Sequence, residues 1–129
     1  RRGRPPHRKP AFVVGNAILW GVPALHLSPE GHLTRATLDA ALTGVETRLA
    51  PDAAMIVDCL AMTGYEAEAR ARFVDWNREH REQIRAVAVV TNKRLWHMVV
   101  SVMSLASSQR MRAFETFEAA DAWLSELES

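Results

Sequence analysis

Between Ala54 and Val57 the chain is apolar without interruption, and the run ends at Asp58. So short a run, with no polar alternation, predicts a strand buried on both faces, and helices must then pack above and below it. A second run, Ala86-Val-Ala-Val-Val90, predicts another buried strand, parallel to the first through a helical crossover. The helices between and around these strands are read from spacings of three and four. Leu38, Leu42, Val45 and Leu49 form one stripe, with Thr34 as its cap and Pro51 as its stop. Ala69, Phe73 and Trp76 mark a second helix over about residues 66–83. In that helix Glu66 with Arg70 and Glu68 with Arg72 stand four apart on a solvated face. A third helix spans about residues 93–107. Met111-Arg-Ala-Phe114 predicts a short last strand, and Thr116 caps a final helix carrying Phe117, Ala120, Trp123, Leu124 and Leu127.

The amino-terminal part alternates differently. Phe12-Val-Val and Ala17-Ile-Leu-Trp20 flank Gly15-Asn16, a pattern predicting two strands joined by a two-residue turn. Leu25-His26-Leu27 then reads as a strand ahead of a Ser28-Pro29-Glu30-Gly31 turn. Strands alternating with helices make this an α/β layered domain, with a mixed sheet of four to five strands and about four flanking helices.

The third helix carries more apolar surface than one contact needs. At about 100° per residue, Leu95, Met98, Val99, Val102 and Ala106 form a stripe wide enough to cover the sheet, while Trp96, Val100 and Met103 form a second stripe beside it. His97, Ser101, Ser104 and Ser108 leave only a narrow polar strip. Trp96, Val100 and Met103 are therefore expected either to lie under the last strand and helix or to meet another chain or a ligand.

Composition narrows the class. The chain has 129 residues, 48% hydrophobic and 24% charged, which fits one globular domain with its own core. No run is long enough to cross a bilayer, and no secretory apolar stretch opens the sequence. The single cysteine, Cys59, points to a reducing compartment, and a cytoplasmic location is expected. The net charge of +1 hides an asymmetry. Arg1, Arg2, Arg4, Arg8 and Lys9 fall in the first ten residues with no acid, leaving 11 bases against 15 acids in the remainder. Pro5, Pro6 and Pro10 keep this arm from forming a helix, so residues 1–10 are expected to be disordered and residues 11–129 to form the domain. The arm's plain reading is a solvated tail. Its functional reading is contact with nucleic acid or an anionic membrane.

Candidate chemistry gathers after the central strand. Asp58 has the character of a loop anchor; as a general base or metal ligand it lacks a paired acid, a nearby nucleophile and a Gly-rich phosphate cradle. Thr63 and Glu66 have the spacing of a capping box at the start of the second helix, where a phosphate on Thr63 would also sit favourably. Cys59 reads as a small buried hydrophobe. His7, His26, His32, His80 and His97 show no metal-ligand spacing, so no metal and no cofactor is expected.

Several stretches carry a resemblance. Arg85-Ala-Val-Ala-Val-Val-Thr91, Leu95-Trp96, Met98-Val-Val, Met111-Arg-Ala-Phe114 and Glu118-Ala-Ala-Asp-Ala-Trp123-Leu124, together with Gly31-His-Leu-Thr34 and the segment from Asp58 to Gly64, are similar to the SpoIIAA-like branch of the STAS superfamily, also called SEC14-like. The resemblance covers roughly residues 20–127 and rests on core and capping positions. It implies a STAS-like mixed sheet and a non-enzymatic role as a regulatory or scaffolding domain that docks proteins. Best-known STAS domains are switched by phosphorylation in an Asp-Ser-Ser-Gly loop. Aligned on Gly64, this chain has Ala61, Met62 and Thr63 there, so the usual phosphoacceptor position is Met62 and only Thr63 keeps a hydroxyl. The expected partner-binding loop is Asp58, Met62, Thr63, Gly64 and Glu66. Self-association through Trp96, Val100 and Met103 is expected beside it, the alternative being a lipid or other apolar ligand lining the same helix. An enzyme built on Asp58 and Thr63 is the third reading.

Overall fold

In the computed structural model, residues 12–19 and 22–128 are described. The elements in chain order are β1 (Phe12–Leu19), β2 (Val22–Pro29), β3 (Gly31–Leu33), α1 (Arg35–Glu46), β4 (Ala53–Asp58), β5 (Met62–Tyr65), α2 (Ala67–Glu79), β6 (Ile84–Val90), α3 (Arg94–Ser107), β7 (Met111–Phe114) and α4 (Phe117–Glu128). The main sheet has the order β1-β2-β4-β6-β7, with β1 antiparallel to β2 and the other neighbours parallel. The apolar run ending at Asp58 is thus the middle strand. From Ala53 to Val57 it is buried without a break.

Alternation along the strands separates two cores. Leu25, Leu27, Met55, Val57, Val87 and Val89 face one side, where Leu38 and Leu42 of α1, Phe73 and Trp76 of α2 and Val100 of α3 meet them. Because β2, β4, β6 and β7 step in one direction across the sheet, crossovers of one hand place α1, α2 and α3 on a single face. The other face is built from small residues, Ala24, Ala54, Ala86 and Ala88 beside Ile56 and Val90. It receives α4 through Ala120 and Leu124. Each fully buried Leu, Val or Met contributes roughly 1.5–3 kcal/mol.

Several expectations change. Gly15 and Asn16 do not turn: β1 runs through them, paired with His26 and Leu25, and the pairing continues to Leu19 opposite Val22. Pairing along the whole of β2 outweighs the local turn preference of the dipeptide, and the short strand expected at residues 25–27 is the middle of β2. Trp20 and the basic arm lie outside the described residues. Helix α1 ends at Glu46, short of Leu49, which still packs on the core. Helix α2 stops at Glu79, with His80 as its cap. The caps at Thr34 and Thr116 form as expected, accepting from the Thr37 and Ala119 amides at 3.1 and 3.2 Å.

On α4, Asp121 Oδ1 is buried without a hydrogen-bond partner. Burial first, and then the Glu118 charge, raise its carboxyl above the ordinary range, with His26 acting the other way. A carboxyl whose folded pKa exceeds its unfolded value destabilises the fold when ionised, and this penalty fades as pH falls through the folded pKa. Asp121→Asn is therefore expected to raise stability at neutral pH, by no more than about a few tenths of a kcal/mol because solvent around this partly exposed carboxyl screens the penalty. Urea titrations at neutral pH and at acid pH should show that gain shrinking in acid.

Candidate functional site

The connections leaving β2 and β4 do not stay loops. Strands β3 and β5 pair in parallel as a second, two-stranded sheet at the carboxyl end of the central strands. Gly31, at a φ of 68° that favours glycine, opens β3 and donates from its amide to Ala61 O at 2.9 Å. Asp58 is the anchor expected of it: Oδ1 accepts from the Leu60 amide at 3.0 Å, while the Cys59 amide donates to Val90 O at 2.8 Å. These bonds turn the chain up from β4 into β5.

The capping box does not form. The N-cap of α2 is Glu66, with no side-chain cap, and Thr63 stands exposed within β5. Glu66 reaches instead across to α1, where Oε1 accepts from the Arg35 amide at 2.8 Å. Paired β3 and β5 bring the two helix starts side by side, so a carboxylate spaced for one helix satisfies the orphan amide of the other. A phosphate on Thr63 would accordingly stand three residues ahead of the α2 cap. Glu66→Ala is expected to lower stability by about 1 kcal/mol, read as a shifted urea midpoint with an unchanged slope. Gly64 has its own reason: a Cβ there would come within 3.0 Å of His32 Nδ1.

The two stripes of α3 exchange roles. Val100 is buried and Trp96 and Met103 pack on the core, whereas Leu95, Met98, Val102 and Leu105 are 75%, 66%, 64% and 83% exposed. Trp96, Val100 and Met103 are therefore not an outward oligomer surface. The polar strip explains the rotation. His97 Nε2 lies 3.0 Å from Thr91 O, and Ser104 Oγ donates to Gln109 O at 2.7 Å and accepts from the Met111 amide at 3.2 Å. His97 and Ser104 hold the ends of β6 and β7, and that turns their neighbours Trp96, Val100 and Met103 inward.

Inward, they meet Met62. Under the β3–β5 roof lies a cavity of about 80 Å³, bounded by Val57, Cys59 and Val89 at the strand ends, Met62 and Tyr65 from β5, Ala69 and Phe73 from α2, and the inner side of α3. Arg70 is the one charged side chain on its wall. Lys93 ties two of the lining residues together, with Nζ donating to Met62 O at 3.0 Å and lying 4.8 Å from the centre of the Trp96 ring, which Tyr65 meets edge-on at 5.5 Å. The cavity thus joins the two stretches singled out in the sequence through Met62, Trp96, Val100 and Met103; Asp58, Thr63, Gly64 and Glu66 do not line it. Tyr65, Ala69 and Phe73 were not foreseen as part of a site. The small Ala69 in the stripe with Phe73 was the available signal, since a gap opens beside the smallest member of a packed row.

The cavity's polar chemistry is sparse. Burial pushes the Cys59 thiol up to about 12, with Asp58 adding to the rise and Lys93 offsetting part of it, so the thiolate needed for attack is suppressed. Among the described residues no three His, Cys, Asp or Glu side chains gather closely enough to hold a metal ion.

Comparison with known proteins fits this architecture. The sequence profile of the SpoIIAA-like family matches residues 24–125. The chain belongs to the SpoIIAA-like family. A solved structure similar to it is an uncharacterized protein from Shewanella loihica PV-4 with a SpoIIAA-like fold, at 18% sequence identity and a TM-score of 0.76, covering 92% of this chain and 97% of that one. No curated protein matches the chain. The SpoIIAA-like framework here comprises the sheet, the four helices and the β3–β5 roof, and no helix among the described residues is long and apolar enough to cross a membrane.

Proposed function

We propose that this SpoIIAA-like chain is a non-enzymatic binding module that holds an apolar small molecule, such as a short acyl chain, under the β3–β5 roof. The observation carrying this reading is the cavity itself: about 80 Å³ of apolar-walled space at the carboxyl ends of β4 and β6, where open α/β sheets place their ligands. A water needs roughly 10–15 Å³ measured this way, so the space admits several carbon atoms, and its walls give water few partners. Catalysis has little support beside it, because the Cys59 thiol is held protonated and Asp58 is committed to the Leu60 amide.

The test is displacement of a fluorescent fatty acid by a series of saturated fatty acids of increasing length. Saturable binding is expected, and Ala69→Leu, which fills the cavity, should weaken it by at least about tenfold, equivalent to about 1.4 kcal/mol. Absence of binding across the series, together with a more stable Ala69→Leu protein, would show the space to be a packing gap.

A second reading, regulatory or scaffolding contact with a protein partner, draws on the tip between β4 and β5. Leu60, 41% exposed, stands there with exposed Ala61 and Thr63. A partner retained by the wild type and lost from Thr63→Glu would favour it.

A further inference from the structure

We propose that the ligand under the β3–β5 roof is a single-chain amphiphile with an anionic head, its tail in the cavity and its head on the Arg70 guanidinium. This rests on the cavity reading above and adds to it the charge of the ligand. Arg70 is exposed and yet stands on the wall with half-buried Tyr65, Trp96, Val99 and Met103, so the cavity reaches the surface beside α2. An arginine at such a margin lays its methylene stem on the apolar wall and keeps its guanidinium in water. The volume limits the tail. About 80 Å³ of space, against roughly 10–15 Å³ for one water, admits about five to eight non-hydrogen atoms, which is one short chain and not the two of a membrane lipid.

Nothing in the fold occupies Arg70, and in this it differs from the other arginines of α2. Arg72 pairs with Asp39 at 2.9 Å and lies 3.7 Å from Glu79, while Arg78 pairs with Asp75 at 3.1 Å and donates to Ala106 O at 2.8 Å. The Arg70 side chain has no hydrogen bond or ion pair among the described residues. Glu66, four residues earlier and spaced to pair with it, is turned to the Arg35 amide at 2.8 Å. Among the described residues no carboxylate lines the cavity, and Lys93, which holds Met62 and Trp96, adds a second positive charge. An apolar space bordered by charge of one sign favours the opposite charge on whatever enters it. The planar guanidinium fork matches a carboxylate or a phosphate through two parallel hydrogen bonds.

Isothermal titration calorimetry at neutral pH with octanoate, octyl phosphate, octanol and octyltrimethylammonium separates head from tail. The wild type should bind the better of the two anions at least about tenfold more tightly than octanol, and octyltrimethylammonium most weakly. Whichever anion leads names the head as carboxylate or phosphate. Arg70→Gln, at an exposed position, should keep the wild-type urea midpoint, bring both anions down to the affinity of octanol and leave octanol itself unchanged. Arg70→Lys should keep part of the preference. A variant that weakens all four ligands together would give Arg70 a structural role and overturn the assignment. Equal affinity of the wild type for both anions and octanol overturns the anionic head and leaves the apolar cavity reading standing. Absence of binding by all four removes that reading and this inference with it.

Discussion

Trp76→Ala is expected to remove about 3–5 kcal/mol of stability, the largest loss from any single side chain in the main core. Trp76 is fully buried in α2, its ring stacked 4.3 Å from His80 at 23°, and its Nε1 donates to Glu46 Oε2 of α1 at 2.8 Å. It therefore fills volume and also joins two helices that both rest on the sheet. Against a typical total of about 5–15 kcal/mol, the alanine protein should be partly unfolded at modest urea. Trp76→Phe separates the two contributions. It keeps most of the ring area and gives up the donor, and because Glu46 can turn to water the loss should be nearer 1 kcal/mol. Urea unfolding of the two proteins decides: equal midpoints would mean that packing at this position matters little.

Ala88→Leu should cost about 1–3 kcal/mol by the opposite route, overpacking. Ala88 is fully buried in β6 on the face of small side chains, and Ala120 of α4 is fully buried in the same cluster. The small residues let the helix approach closely, and there is no space beside them for a branched side chain. Hydrogen exchange should then accelerate first in α4 and leave α1, α2 and α3 near their wild-type protection. Uniform acceleration over all four helices would show instead that the two cores fail together.

The parts of this architecture legible in the sequence are those set by local pattern. An unbroken apolar run such as 54–57 needs no partner to announce a doubly buried strand, and Thr34 and Thr116 cap their helices within three residues. What escaped was set by distant partners. Strand β5, Met62 to Tyr65, is four residues long with Thr63 and Gly64 at its middle, too short to show an apolar rhythm, and exists because β3 lies beside it. Glu66 had the spacing of a local cap and was taken by Arg35, 31 residues earlier. Helix α3 shows two apolar stripes by angle, and angle alone is silent about which faces inward; the bonds of His97 and Ser104 to neighbouring strand ends decide that. The cavity's roof, β5, was among these misses, while its α3 wall is the stripe of Trp96, Val100 and Met103 for which cover by the last strand and helix, a second chain and a ligand were all expected.

Cys59 gives the molecule an internal stopwatch. It is the sole sulfhydryl in the chain, and with its proton held up to about 12 it contributes almost no reactive anion while the fold stays shut. Colour development with an aromatic disulfide reagent under native conditions would consequently time how often the strand ends beneath the roof become bare, and any occupant seated there would slow the clock in proportion to its grip.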